Sequence, residues 1–210
     1  MGSRSRNRID PVSTDSLISV RILWMTYKSL LSLYDTPTPK IVKSYLLGAL
    51  HDATERKYTY RISQKSEGYV KFLAKLVKPL GYKAWCYREG KDRKVFVVEF
   101  AKRILNNVKP ETVEEKKAYV RGYFDAEGSV PRSKSSRYYI YLAQKNLEDL
   151  TNLRNILTDL GISCGIIHNP SFHIDPNYYR FYVSSKSHQK FVLEIGSWHL
   201  VKGKHLRMKI

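Results

Sequence analysis

The feature that most constrains this chain is that it repeats itself. Tyr45-Leu-Leu-Gly-Ala-Leu-His-Asp-Ala-Thr-Glu55 is answered by Tyr119-Val-Arg-Gly-Tyr-Phe-Asp-Ala-Glu-Gly-Ser129. After each comes a polar, aromatic run that ends in Gln-Lys, at Gln64-Lys65 and Gln144-Lys145. Each Gln-Lys opens an amphipathic stretch that closes on Leu-Gly, at Leu80-Gly81 and Leu160-Gly161. Those landmarks keep an offset of 80, so the chain holds two copies of one supersecondary unit. Two hundred and ten residues allow one domain, or two small ones sharing a core.

Hydrophobic spacing gives the order α-β-β-α-β-β-α, stated twice, in an α+β fold. In the first copy a helix carries Ile41, Tyr45, Leu46 and Leu50, and a strand pair spans 54–64. A second helix follows over 66–80, then strands over 82–88 and 94–100 and a closing helix over 101–107. In the second copy the motif helix runs 113–126, with Glu114 and Glu115 in its first turn, where the macrodipole favours acids. The stripes Val70, Leu73, Leu76, Val77, Leu80 and Leu150, Leu153, Ile156, Leu157, Leu160 are core. The division is residues 1–40, a basic arm with an accessory helix; 41–108, the first half; 109–116, a linker and helix start; and 117–210, the second half with a basic tail.

Thirty-seven Lys and Arg against 19 Asp and Glu leave a net charge of +18. A surface this positive repels itself unless it meets a polyanion, and the charge lies on strand-like runs rather than in one tail. Nucleic acid is therefore the expected partner. No run of 18 apolar residues suggests a membrane span, and the polar, basic start lacks a secretory h-region. Cys86 and Cys164 are expected as buried free thiols in a reducing compartment, cytoplasmic or organellar. Cys164, His168 and His173 offer only one thiol and do not make a zinc set.

Gly122 and Ala126 lie on one helix face, small enough for another backbone to come close. Glu127 follows at the helix end, with Gly128 expected in a left-handed C′ conformation. An acid at a helix C-terminus opposes the macrodipole. Two such acids from converging helices make a site for a hard divalent cation, completed by backbone carbonyls such as that of Ala126 and by water. In the first copy, alignment on Gly48 sets Ala53 opposite Glu127. Alignment on the acid selects Asp52, with a helix one residue shorter, and Glu55 is the third choice. Metal held there can activate water, neutralise a phosphorane and assist a leaving 3′ oxygen, so phosphodiester hydrolysis needs neither His nor Cys.

Strand alternation sets Lys57, Thr59, Arg61 and Ser63 on one face, opposite Tyr58, Tyr60 and Ile62. Arg137, Tyr139 and Tyr141 form the matching set, with Arg132 and Lys134 at a longer tip. The second hairpins add Arg88, Lys91, Arg93 and Lys94, then Asn169, His173, Arg180 and Tyr182. These polar faces suit a wet major groove, with Arg and Asn meeting base edges and Lys and Ser meeting phosphate.

Together these motifs resemble those of the LAGLIDADG homing endonucleases, in the monomeric two-motif form typical of intron-encoded enzymes, over roughly residues 41–205. The resemblance implies two αββαββα halves with motif helices packed at the centre and antiparallel four-stranded sheets saddling duplex DNA. It implies Asp52 and Glu127 as metal ligands, Gln64 and Gln144 as groups that order active-site water, and Lys204, or else Lys202, as a basic residue at the phosphate. It further implies Mg²⁺ as cofactor, Mn²⁺ as a substitute, Ca²⁺ binding without cleavage, and a monomer on a long double-stranded DNA site. Two rivals share the scaffold: a non-catalytic DNA-binding regulator, and a maturase acting on intron RNA.

Overall fold

The computed structural model describes residues 37–90 and 92–208. Most of the expected N-terminal arm and accessory helix, up to residue 36, and Lys91 fall outside these residues.

Helix α1, Pro39–Ala49, starts where Thr38 accepts from the Ile41 amide (3.4 Å) and Pro39 occupies the first turn. Its apolar face buries Val42, Tyr45, Leu46 and Ala49. Helix α2 is Glu67–Val77, and the counterpart of α1 is α3 (Val113–Glu127), which opens on a capping box between Thr112 and Glu115. The two motif helices meet through their glycines. A Cβ on Gly48 would stand 2.0 Å from the Tyr119 carbonyl oxygen, and one on Gly122 would stand 2.0 Å from that of Tyr45. Each pair is the other displaced by 74 residues, so the contact is a pseudo-two-fold one in which only hydrogen fits at either centre. The expected close approach is therefore made by Gly122 and Gly48.

The first sheet is β1 (Ala53–Glu55), β2 (Thr59–Gln64), β3 (Ala84–Arg88) and β4 (Phe96–Ala101), antiparallel in the order β1-β2-β4-β3. The second holds β5 (Gly128–Ser129), β6 (Tyr141–Gln144) and β7 (Tyr179–Tyr182) in the order β5-β6-β7. Its fourth position is reduced to two isolated bridges, Cys164 to Val183 and His168 to Arg180. Around them Gly165 donates to the Tyr182 carbonyl (2.8 Å), and His168 and Arg180 exchange backbone bonds (3.0 and 2.9 Å). The second sheet is thus three-stranded rather than four-stranded.

Helix α2 and helix α4 (Leu147–Asp159) cover the sheets, burying Val70, Leu73, Val77 and Leu150, Leu153, Leu157 in two separate cores. Leu76, Leu80, Ile156 and Leu160 are half-buried against them. Three other expectations need correction. The closing segment of the first half is a single 3₁₀ turn, Lys102–Leu105, which the exposed Asn106 and Asn107 terminate. In the second half, α5 (His188–Lys190) runs into a π-turn at Phe191–Ile195, and the basic tail folds as a further helix, α6 (Leu200–Leu206), under a His199 cap. Cys86 is exposed because β3 is an edge strand with few neighbours; Cys164 is half-buried, and both thiols are free.

Candidate metal and DNA site

The one-residue ambiguity between the repeats has a structural solution. In β1, Ala53 pairs with Ile62; in β5, Gly128 pairs with Leu142. Ile62 and Leu142 are themselves equivalent under the offset of 80, so Ala53 corresponds to Gly128 and Asp52 to Glu127. The glycines are 74 apart and the acids 75. The first helix takes up the difference by tightening its last turn, Leu50–Asp52, to 3₁₀ geometry, whereas α3 stays α-helical through Glu127. Both acids are thus the last residue before a strand, at the same end of the helix pair. Glu55, one residue further along β1 than Thr54, is exposed and ion-paired with Lys102.

Gly128 differs from expectation. Its φ of −75° and ψ of 156° are extended, not left-handed. Glycine is needed for room, since a Cβ there would sit 2.1 Å from Cδ2 of Phe124.

The two carboxylates feel each other. Burial raises the Glu127 pKa to about 7, and the Asp52 charge pushes it the same way while Lys202 opposes. Asp52 is raised too, chiefly by burial, with Gln64 and Lys202 opposing. Gln64 donates to Asp52 Oδ2. Gln144 lies against the buried Tyr123 hydroxyl, and its own Oε1 accepts from the Lys145 amide (2.7 Å). Among the described residues neither Asp52 nor Glu127 forms a salt bridge, although the chain carries a large cationic excess. Two partly desolvated, mutually repelling hard-oxygen donors beside an open cleft fit a hydrated divalent cation. That cleft is lined in part by Asp52, Gln64, Lys65, Ser129, Arg132 and Lys202.

Lys202, rather than Lys204, is the lysine at this site. Its ammonium donates to the carbonyls of Phe124 (3.1 Å), Asp125 (2.8 Å) and Ala126 (3.1 Å), capping the C-terminus of α3. Burial lowers its pKa, while Asp125, Glu127 and Asp52 oppose that change. Lys204, two residues on along α6, is exposed. The Ala126 carbonyl, expected as a metal ligand, is the ammonium's acceptor.

What sequence reasoning missed is the latch that delivers Lys202. Asp125 is buried and accepts from the Tyr45 hydroxyl (2.6 Å), the Ser197 hydroxyl (2.5 Å), and the amides of Trp198 (2.9 Å) and His199 (3.0 Å). One carboxylate therefore joins α1, α3 and the start of α6. Burial raises its pKa, and Ser197, Tyr45, the Lys202 charge and the Trp198 amide work against that shift. His199 Nδ1 accepts from the Lys202 amide (3.3 Å) and so starts α6; burial lowers its pKa to about 4, which keeps it neutral. The pseudo-symmetric counterpart of Tyr45–Asp125 is Tyr119–His51, hydroxyl to Nε2 at 2.9 Å. The signal in the sequence was the acid two residues before Glu127, which the first copy replaces with His51.

The proposed DNA-contacting residues divide into free and engaged. Lys57, Arg93, Lys94, Arg132, Lys134, Arg137 and His173 are exposed, and so is Arg88, although its guanidinium donates to the Arg93 carbonyl (3.0 Å). Arg61 is tied to Glu89 (2.5 Å) and to the Tyr87 hydroxyl (3.3 Å), leaving 13% of its side chain accessible. Thr59 donates to Glu99 (2.5 Å), and the Ser63 hydroxyl is buried. Asn169 holds its own loop, donating to the Asp175 carbonyl (2.9 Å) and accepting from the Ser171 amide (2.8 Å). Tyr139, Tyr141, Tyr182 and Arg180 form a partly exposed cluster: Tyr139 stacks on Tyr141 (5.6 Å), and the Arg180 guanidinium lies over Tyr182 (5.2 Å) and Tyr141 (5.5 Å). Among the described residues no set of three His, Cys, Asp or Glu groups forms a metal cluster, zinc included.

Comparison with known proteins gives a consistent picture. A LAGLIDADG-like domain family matches residues 114–196. Among solved structures, I-DmoI in complex with DNA and Mn is 22% identical at a TM-score of 0.59, covering 75% of this chain and 97% of that one. Full-length DUF199/WhiA from Thermatoga maritima is 21% identical at a TM-score of 0.63, over 80% of this chain and 60% of that one. The N-terminal LAGLIDADG domain of DUF199/WhiA gives 21% and 0.61, over 76% and 82%. No curated protein sequence matches significantly. The chain has the LAGLIDADG fold, and its residues 114–196 match the LAGLIDADG-like domain family.

Proposed function

We propose that this chain is a site-specific endonuclease for double-stranded DNA, acting as a monomer, with Asp52 and Glu127 holding divalent metal between the halves. The observation that carries the reading is the pair of repelling acids at matched helix ends, close enough for Asp52 to raise Glu127 and unpaired by any cationic side chain among the described residues. I-DmoI, which shares the fold, has been solved with DNA and Mn, Mg or Ca. A bound Mg²⁺ or Mn²⁺ would supply Lewis-acid activation of water and charge neutralisation at the phosphate.

This chain's own residues do the rest. Gln64 orients Asp52 and can hold water beside it, and Gln144 stands in the matching place of the second half. The Lys202 ammonium, fixed on three carbonyls, supplies positive potential beside the two acids without moving. The exposed cations of both sheets follow the phosphates, and the division at 41–108 and 117–210 gives each half one strand to address. Glu127→Gln is expected to abolish cleavage of a randomised duplex library in Mg²⁺ while leaving duplex affinity within a few-fold. Strand scission retained by that variant would refute the assignment.

A second reading, DNA binding without cleavage, draws on Lys202. An ammonium on the Ala126 carbonyl takes up an oxygen that a metal could have used. The same library experiment decides: tight binding with no scission by the unaltered chain, in Mg²⁺ or Mn²⁺, selects that reading.

A further inference from the structure

The tail that brings Lys202 to the acids lies in a seat, and the seat occurs twice. Four residues of the motif helices build the first. The Tyr45 ring lies against Trp198 (centres 4.5 Å apart), and the Arg121 guanidinium covers the same indole (4.9 Å). Asp125 accepts from the Trp198 amide (2.9 Å), and the Phe124 carbonyl accepts from the Lys202 ammonium (3.1 Å). Helix α2 adds Phe72 beside Trp198 (6.0 Å) and Tyr69 beside His199 (4.5 Å).

The pseudo-two-fold carries Tyr45, Arg121, Phe124 and Asp125 onto Tyr119, Leu47, Leu50 and His51, each displaced by 74 residues. Those four line a hollow of about 310 Å³, on the side of the helix pair away from the tail. The first half has no tail of its own to lay there, because its closing turn, Lys102–Leu105, leads through residues 106–112 into α3.

The exchanged residues say what the second seat fits. Leu47 and Leu50 replace a cation and an aromatic ring with a half-buried aliphatic wall, which suits the flat face of an aromatic side chain. A volume at the lower end of ligand-sized pockets has room for one such group. Helix α4 stands where α2 stands in the first seat, and the offset of 80 sets Asp149 in the place of Tyr69, the neighbour of His199. The Asp149 charge is felt at His51, Tyr119 and Tyr123, and among the described residues Asp149 forms no salt bridge. A cation beside the aromatic group complements it. His51 is already bonded to the Tyr119 hydroxyl (2.9 Å), and an imidazole so engaged cannot accept successive amides as Asp125 does. A segment in this seat is therefore held by its side chains and binds reversibly.

We propose that the hollow between Leu47, Leu50, His51 and Tyr119 docks a peptide segment of a partner protein, in which an aromatic residue is followed directly by a cationic one. The aromatic ring takes the position that Trp198 has in the first seat and lies on Leu47 and Leu50. The cation takes the position of His199 and meets Asp149. Docking here uses neither the acid pair nor the strand faces given to DNA.

The test titrates the whole chain, labelled with nitrogen-15, with the end-blocked peptide Ser-Trp-Lys-Leu-Val-Gln at fixed moderate salt. Saturable amide shifts are expected around Leu47, His51, Tyr119 and Asp149, with Trp198 and His199 unmoved. Alanine in place of the peptide's Trp should weaken binding about fivefold or more, as loss of a buried anchor does. Gln in place of its Lys should weaken it about 1.5- to 5-fold. Asp149→Asn should cost the same factor, and the two changes together no more than either alone. Leu47→Ala should weaken binding without unfolding the chain, because alanine is the better helix former and Leu47 is only half-buried. The peptide variants keep the test decisive if it does unfold. Binding that ignores Leu47→Ala and Asp149→Asn overturns the proposal, as does the absence of saturable shifts. Shifts centred on Trp198 overturn it too, since the peptide would then be displacing the tail. Self-association of the chain that Leu47→Ala abolishes would make a second copy the occupant and also refute it. Glu127→Gln should bind the peptide normally, which separates failure of this site from failure of the nuclease reading.

Discussion

Replacing Gly48 by alanine puts a methyl group where the Tyr119 carbonyl already is. The new Cβ would lie 2.0 Å from that oxygen and 2.7 Å from the Tyr123 amide nitrogen, both backbone atoms of α3. No rotamer change can relieve a clash with backbone, so α1 and α3 must separate by about 1.5 Å to restore ordinary contact. Overpacking of this kind costs about 1–3 kcal/mol. For a domain of this size that corresponds to a fall in Tm of roughly 2–12 °C. Gly122→Ala meets the Tyr45 carbonyl at the same 2.0 Å and should cost the same. The double variant should cost less than the sum, because one opening of the helix pair accommodates both methyls. Gly68→Ala is the control: it lies in α2 with nothing within 4 Å, and should raise stability by about 0.4–1 kcal/mol. Thermal unfolding of the four variants by circular dichroism reads all of this. A Tm for Gly48→Ala within about 1 °C of the unaltered chain, or full additivity with Gly122→Ala, would refute the idea that backbone contact sets the helix separation.

Other outcomes follow from the site. Glu127 has its pKa raised to about 7 from an ordinary 4.5, so the folded state holds its proton more tightly than the unfolded one. That contribution is fully present below pH 4.5 and is lost as pH rises through about 7, so without metal the Tm should fall between pH 5 and 8, and Glu127→Gln should flatten that slope. Mg²⁺ added at pH 7 should release protons from the unaltered chain and fewer from Glu127→Gln, as isothermal titration in buffers of different ionisation enthalpy would show. Asp125→Ala strands four donors, two of them amides, and should cost about 3–5 kcal/mol in urea unfolding; Tyr45→Phe removes one of the four bonds and should cost about 0.5–1.5 kcal/mol. Lys202→Met should slow cleavage far more than it weakens duplex binding, whereas Lys204→Met at the exposed position should alter binding alone. Duplex affinity should fall steeply with salt, linearly on logarithmic axes.

Much of this could be read in advance because repeats and periodicity are local. The helix stripes sit in the cores, and both motif glycines mark the helix contact. The chain that follows each motif forms antiparallel strands. Spacing did not show where the ladder fails. The fourth edge of the second sheet is reduced to two isolated bridges, and the basic tail, which lacks a long apolar stripe, forms a helix because His199 caps it and Asp125 seats it. Several polar residues expected to face DNA, such as Arg61, Thr59 and Asn169, are occupied by partners far away in sequence or within their own loop. Alternation tells which face a side chain takes, not what it finds there.

The sequence alone determined the duplicated architecture, the cationic surface and the acid at the end of the second motif, since each depends on residue type and short-range spacing. Tertiary structure decided which first-half acid matches it. The strand register pairs Ala53 with Ile62 and Gly128 with Leu142, and a 3₁₀ turn absorbs the odd residue. It also decided which tail lysine joins them, because the buried Asp125 carboxylate holds the Trp198 and His199 amides and the Lys202 ammonium caps the Asp125 carbonyl 77 residues away. A long-range hydrogen bond of that kind leaves no periodic trace in the chain, and only packing can select it.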